Sequence, residues 1–326
     1  MSEFLLELYS EEVPPQLQIN ARNELKQIVE KLTQEEGLKY KALKIYSSPT
    51  RLSLFIQDLS EKVKILPKEI KGPKVGVPDN ILESFIKSQK ANKSDVFKKE
   101  IEKGNFYFIK TKSREILTQD LLTRIIPKSL NEINWKKSMK WSDSNLMWAR
   151  PLRSIVAVYN KKVLKFSYHH LVSTNSVIIE TDLITKTKNV KTFKEYNSFL
   201  KSNKILLDHV ERKTKILKRF ETICRSKNYK ENFNTKLLEE VTNIVENPTI
   251  LLVDFNKEYL KIPSEIIIST LQGHQRYFPL FNKKDKLTNY FLVVANKVDS
   301  KNFIKEGNKR VVEARLSDAK FFWDKD

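Results

Sequence analysis

The stretch FLLELYSEEVPP, residues 4–15, fixes how the chain begins. FLLELY (4–9) is an apolar run of strand length, and SEEVPP supplies an acidic turn after it. Beyond the turn, Leu17, Ala21, Leu25, Ile28 and Leu32 recur at spacings that place them on one face of an amphipathic helix. Pro15 suits the first turn of that helix, and Glu11 and Glu12 stand where acids meet the positive end of its dipole. LKIYSS and RLSLFIQDL then form two strands joined through Ser-Pro-Thr. The chain therefore opens strand, helix, strand, strand.

The same mixture continues. KGPKVGVPDN (71–80) gathers glycine and proline into an expected surface loop, followed by a short helix at 81–90. FYFIKTK (106–112) alternates aromatic residues as a strand, and 118–133 has a helical pattern. MWARPLRSIVAVYNKKVLKFSYHHL reads as strands turning at Asn160–Lys162. Residues 191–246 read as mainly helical, with Leu206, Val210, Leu217, Phe220 and Cys224 on one face. Leu237, Leu238, Val241, Ile244 and Val245 form a second face, stopped by Asn247-Pro248. TILLVDF, YFPLF and YFLVVANK are strands, and a last helix starts near 301. Without regular βαβ alternation, this order predicts an α+β, multidomain protein with mixed or antiparallel sheets and packed helices. The expected division is an N-terminal α+β domain over 1–175, then 176–326 with a basic helical segment and a second α+β domain.

Composition narrows the classes. The chain has 326 residues, 40% hydrophobic and 31% charged, the profile of a globular protein. No apolar run approaches the ~20 residues that cross a bilayer, so no membrane role is expected. The first residues lack a basic n-region, and the single cysteine, Cys224, permits no internal disulfide and no cysteine-rich zinc site. These features predict a cytoplasmic protein. The net charge of +20 invites a polyanion, although only 12 of 60 basic residues are Arg and an AT-biased genome would also raise Lys. Half of that excess, 15 basic against 5 acidic residues, lies within 183–236.

No GxGxxG, Walker loop or GxSxG is present. His169-His170 are adjacent on an expected strand and so point apart, with no third ligand nearby, and no metal site is predicted. Asp208-His209 reads as a solvated helix face. Trp135, Trp141, Trp148 and Trp323 read as core or inter-domain anchors. KKSMKWSDSNLMWARPLR (136–153) is open to two readings: phosphate contacts beside stacking tryptophans, or a strand pair with a basic outer face. Its candidates are Lys140, Trp141, Arg150 and Arg153; the basic helix adds Arg212 and Lys213. In GHQRYFPLF (273–281), Gly273 permits a tight turn and Pro279 restricts the following strand to a sheet edge. His274 has no evident nucleophile or acidic orienter, so Gln275 and Arg276 are the contact candidates and no catalytic residue is assigned.

LLELYSEEVPP, SSPTRLSLFI, KGP, MKW…WARPLRSIVAVY, HVERKTKI, LLEEVTNIVENPTILL, GHQRYFPLF and NKRVVEARLSDAKFFW follow one another in this order. Together they resemble the N-terminal part of the β subunit of bacterial, heterotetrameric glycyl-tRNA synthetase. The resemblance implies an α2β2 ligase that attaches glycine to its tRNA with ATP, the ATP being bound by the α subunit and no cofactor by this chain. It implies tRNA(Gly) and the α subunit as partners, with HD-type and anticodon-binding domains further downstream, so that these residues alone would not recognise the anticodon. The family's Gly-His-Arg-Phe-like stretch is replaced here by STNS (173–176). A rival reading is a stand-alone RNA-binding or assembly module without ligase activity; a hydrolase built on His274 or Glu11–Glu12 lacks a convergent nucleophile.

Overall fold

The computed structural model describes residues 2–325 apart from 66, 68, 90, 112, 142, 182, 183, 231 and 232. Lys90 and Lys112, the ends of the expected helix and strand, and Ser142 of the basic stretch lie outside the described residues.

The opening reads as anticipated: β1 (Glu3–Ser10), α1 (Pro15–Glu35), β2 (Ala42–Ser48) and β3 (Arg51–Gln57). Next comes an insertion of β4 (Lys62–Ile65), β5 (Glu69–Lys74), α2 (Asp79–Ser88), β6 (Val96–Ile101), β7 (Gly104–Lys110) and β8 (Arg114–Leu117). α3 (Thr118–Glu132), β9 (Leu152–Tyr159) and β10 (Lys162–Val163) complete the first sheet, whose order is β10-β9-β1-β3-β2, antiparallel throughout. Period-two alternation sorts its faces. Phe4, Leu6, Leu8, Leu54, Ile56 and Ala157 face α1 and α3 in the largest core cluster. Each of these Phe, Leu and Ile side chains, fully buried, contributes about 1.5–3 kcal/mol.

Residues within 176–207, which the expected division places in the second part, cover the other face of that sheet. β11 (Ser167–Tyr168) and β12 (Leu171–Val172) form a small ladder; β13 (Ser176–Glu180) and β14 (Thr185–Asn189) form a hairpin leading to α4 (Phe193–Ser202). Val177, Ile179, Tyr196 and Leu200 pack with Leu5, Val156 and Val158 of the sheet. The sequence pattern assigns no element to this hairpin: TKTKN is exposed throughout and carries no alternation to read.

The second half holds α5 (His209–Lys227), α6 (Thr235–Thr242), β15 (Thr249–Asp254), α7 (Ser264–Ser269), β16 (Phe278–Phe281), β17 (Leu287–Ala295) and α8 (Phe303–Lys325). Its sheet order is β15-β17-β16, so Pro279 does lie on an edge strand. One side packs on α5 and α6 through Ile216, Phe220, Leu238 and Leu292; the other meets α8 through Val253, Phe291, Val312 and Leu316. The α+β class stands.

Four local expectations are corrected. KGPK is not loop but the end of β5, and the turn waits for Val75-Gly76, where Gly76 has φ of 97°. Gly273 is not the turn residue either: Thr270–His274 continue α7 as a π-helical segment, and the left-handed backbone falls on Arg276 at φ 59°. His169-His170 are the turn between β11 and β12, with His169 at φ 51°, rather than strand residues. Trp323 is exposed and lies outside the core, whereas Trp148 is buried against Trp135 and Tyr168.

Candidate RNA and partner surfaces

The residues singled out by sequence divide into three places. The first is the loop between α3 and β9. An isolated bridge between Met139 and Trp148 pins it, because Trp148 is held in the core while Met139 stays out. Between them Lys140 is exposed and reaches only Asn145, at 3.5 Å. Trp141 stacks edge-on against His170, whose Nδ1 lies 2.9 Å from Ser144 Oγ. Arg150, partly buried, donates to the neighbouring Ala149 carbonyl and forms no ion pair among the described residues. Lys136, Lys137 and Lys140 thus project from a loop that aromatic packing holds in place.

Arg153, three residues further along β9, differs. Its Nη1 contacts Glu11 at 3.3 Å and also Glu180, and its Nη2 donates to Glu180 Oε1 at 2.9 Å. Two carboxylates therefore occupy its fork, the geometry a phosphate would otherwise take. Glu11 thus serves an ion pair, and α1 has no acid in its first turn.

The second place is α6. Lys213 lies 3.7 Å from Glu239, and Arg276 Nε donates to Glu240 at 3.0 Å, so two candidates distant in sequence meet adjacent acids of one helix. Arg276 Nη1 also donates to the Gly273 carbonyl at 2.6 Å, which ties its left-handed turn together. Gln275 faces α8, its carboxamide oxygen accepting from Arg315 Nε at 2.7 Å and Nη2 at 3.2 Å. Two segments of the resemblance, GHQRYF and ARLSDA, are joined there.

The third is Arg212, and here the structure corrects the expectation. Arg212 is completely buried. It donates to the carbonyls of Thr242 (3.0 Å), Leu206 (2.6 Å), Leu207 (3.0 Å) and Ser47 (2.9 Å), so four of its five N–H donors are taken and its burial admits no external ligand. Burial pushes its pKa down to about 10, still charged at neutral pH. Asp208-His209 is a solvated face only in part, with the Asp208 carboxylate exposed and His209 partly buried. Asp208 caps α5 by accepting from Val210 N at 2.8 Å, and burial pushes His209 down to about 4, which keeps it neutral.

What α5 does present is a groove of about 910 Å³ against β15, lined by Val210, Thr214, Lys215, Lys218, Arg219 and Ile250 among others. Lys215 reaches Asn247 at 3.1 Å, whereas the cationic ends of Lys218 and Arg219 have no hydrogen bond or ion pair among the described residues. Three basic side chains of 183–236, Lys215, Lys218 and Arg219, thus line a concave, partly apolar surface together with the acids Asp208 and Glu211.

Sequence reading passed over a buried polar seam. Glu7 and Arg51 form an ion pair of 3.1 Å with both side chains essentially inaccessible, and Tyr196 bonds Ser53 at 2.8 Å beside it. Desolvation raises the Glu7 pKa, and Arg51 opposes it. The signal was present: Glu7 is a charge in the middle of an apolar strand, as is Arg51 at the head of RLSLFI. Among the described residues no group of three or more His, Cys, Asp or Glu could hold a metal ion, and no helix is long and apolar enough to cross a membrane.

A family model described as "Glycyl-tRNA synthetase beta subunit" matches residues 4–326. The chain belongs to the glycyl-tRNA synthetase beta subunit family. It is 35% identical to the glycine–tRNA ligase beta subunit of Clostridioides difficile (strain 630), over all of this chain and 48% of the relative. The corresponding subunit of Rickettsia felis is 32% identical over all of this chain and 49% of its own length, and that of Rickettsia bellii (strain OSU 85-389) is 32% identical over 50%. The chain spans about half the length of the curated relatives it matches.

Proposed function

We propose that these residues form the N-terminal part of a glycine–tRNA ligase β subunit that binds tRNA(Gly) and docks the α subunit of an α2β2 enzyme. ATP-dependent activation of glycine takes place on the α subunit, which binds the ATP, and the residues described here hold RNA and partner without a cofactor of their own. The protein works in the cytoplasm. The observation that carries this reading is the family match from residue 4 to residue 326. The α5 groove, with Lys218 and Arg219 uncommitted, supports a phosphate-bearing ligand. In this reading Lys140, Trp141 and Arg150 meet RNA, while Lys213, Gln275, Arg276 and Arg153 shape the surface offered to RNA or to the α subunit.

The span of about half the relatives' length favours a second reading: by themselves these 326 residues bind and assemble without charging, and do not read the anticodon. One experiment separates the two. The chain is mixed with purified α subunit and tRNA(Gly), and glycylation and complex formation are measured together. Restored glycylation establishes an active half-subunit; a complex without glycylation establishes the module. Absence of both would refute the assignment.

A further inference from the structure

The insertion between β3 and α3 carries a surface that the reading above does not use. Residues directly opposite in an antiparallel ladder share a face. Phe97 pairs with Phe108 and Phe108 with Lys71; Lys99 pairs with Phe106 and Phe106 with Lys74; Lys110 pairs with Glu69. One face of the β5-β7-β6 sheet therefore gathers three phenylalanines among four lysines. The opposite face holds Ile70, Val96 and the buried Ile109. α2 packs on that side, its Phe85 against Gly72, which is bulged opposite Tyr107.

The phenylalanine face is open. Lys71, Lys74, Lys99 and Lys110 are all exposed, and Phe97 and Phe106 are only partly covered. What lies over the rings is ammonium: Lys71 Nζ is 3.7 Å from the Phe106 centroid and Lys99 Nζ is 5.7 Å from that of Phe108. Phe97 and Phe108 stack at 6.0 Å. Phe97 and Phe106 thus keep ring surface accessible, Phe106 under the exposed Lys71, while Phe108 is buried between them. Between residues 62 and 117 the chain has 14 basic and 7 acidic side chains, a net +7. The single acid on this face, Glu69, is already paired with Lys99.

We propose that this face binds unpaired nucleotides of RNA, with bases stacking on Phe97 and Phe106 and phosphates taken by Lys71, Lys74, Lys99 and Lys110. A flat base replaces the Lys71 ammonium on Phe106 and another lies on the exposed part of Phe97, and the released lysine turns to the backbone phosphate. Duplex RNA keeps its base faces stacked inside and cannot use the rings. An acidic peptide would satisfy the charge but offers nothing flat to stack. The inference rests on the RNA-binding reading above and names where, and in which form, the RNA is held.

The test uses the full chain with a fluorescent ten-nucleotide single-stranded RNA, its duplex, and poly-glutamate, read by anisotropy over a salt series. The single strand should bind most tightly, with an affinity that falls steeply with salt. The double variant Phe97→Leu, Phe106→Leu keeps apolar volume but removes the rings, and should weaken binding roughly tenfold; Phe97→Tyr, Phe106→Tyr should retain it. Because a leucine variant could lose the fold of the insertion, 5-iodouridine in the same RNA supplies a second readout, with photocrosslinks expected in β6 and β7. Leucine variants binding like the parent, crosslinks confined to other elements, or equal binding of duplex or poly-glutamate would overturn the proposal. If the single strand fails to bind while the chain still joins the α subunit and tRNA, the platform is wrong and the family reading survives. If tRNA binding fails as well, the RNA reading itself falls.

Discussion

Arg212 donates to four main-chain carbonyls drawn from the α4–α5 connection, the end of α6 and β2. Its fixed fork satisfies acceptors that no single ammonium could reach together. Replacing it with alanine strands those carbonyls away from water and leaves a cavity, so Arg212→Ala should lower stability by about 3 kcal/mol or more. Arg212→Lys should recover little of this. Urea denaturation of the two variants measures both values; a loss below about 1 kcal/mol would show that the network matters little. The residue looked like an RNA contact because its neighbours Lys213 and Lys215 are basic and the helix was phased on Leu206, Val210 and Leu217. The true inner stripe is Arg212, Ile216, Phe220 and Cys224, at spacings of four, and Val210 is exposed. That stripe was there to be read, but an arginine heading it reads as solvent-facing until tertiary contacts supply its acceptors.

At the scale of elements, apolar periodicity located α1, α3, β1–β3, β9, β15 and β17 close to their observed limits. It failed where exposure removes the pattern, as in β14, and where proline and glycine sit inside a strand, as in β5. Gly72 explains the second case. A Cβ built there would lie 2.3 Å from the Phe85 ring, so glycine is kept in β5 for the close approach of α2 and not for a loop. Gly72→Ala should destabilise the insertion by about 1–3 kcal/mol, and adding Phe85→Leu should return part of the loss. Hydrogen exchange of the β5–β7 amides would register both changes. Unchanged exchange in Gly72→Ala would mean that α2 shifts freely and the contact is not tight.

At the scale of the molecule, the two halves meet along a polar seam. Gln18 Nε2 donates to the Asn243 carbonyl at 2.8 Å, and Arg22 Nη1 to Asn243 Oδ1 at 2.9 Å. Ser48 Oγ donates to Glu246 Oε1 at 2.7 Å. All three acceptor groups stand at the end of α6 or just after it, against α1 and the end of β2. Asn243→Ala leaves the buried Arg22 with Ser47 Oγ but without its Asn243 acceptor and should cost about 1–3 kcal/mol. It should also separate unfolding of the two halves, which calorimetry would record as a broadened or split transition. A single unshifted transition would place the coupling elsewhere.

The amino-acid pattern by itself determined the class of fold, most of the elements and, through eight collinear segments, the family, because periodicity and motif order are local properties of the chain. Tertiary structure alone decided which charges are free. Arg212 is enclosed and Arg153 neutralised by two carboxylates, while Lys218 and Arg219 line a groove without ion-pair or hydrogen-bond partners for their cationic ends among the described residues. A guanidinium has the same chemistry in each place. Whether it holds the fold or meets a ligand depends on acceptors brought from distant segments, and spacing along the sequence does not encode those distances.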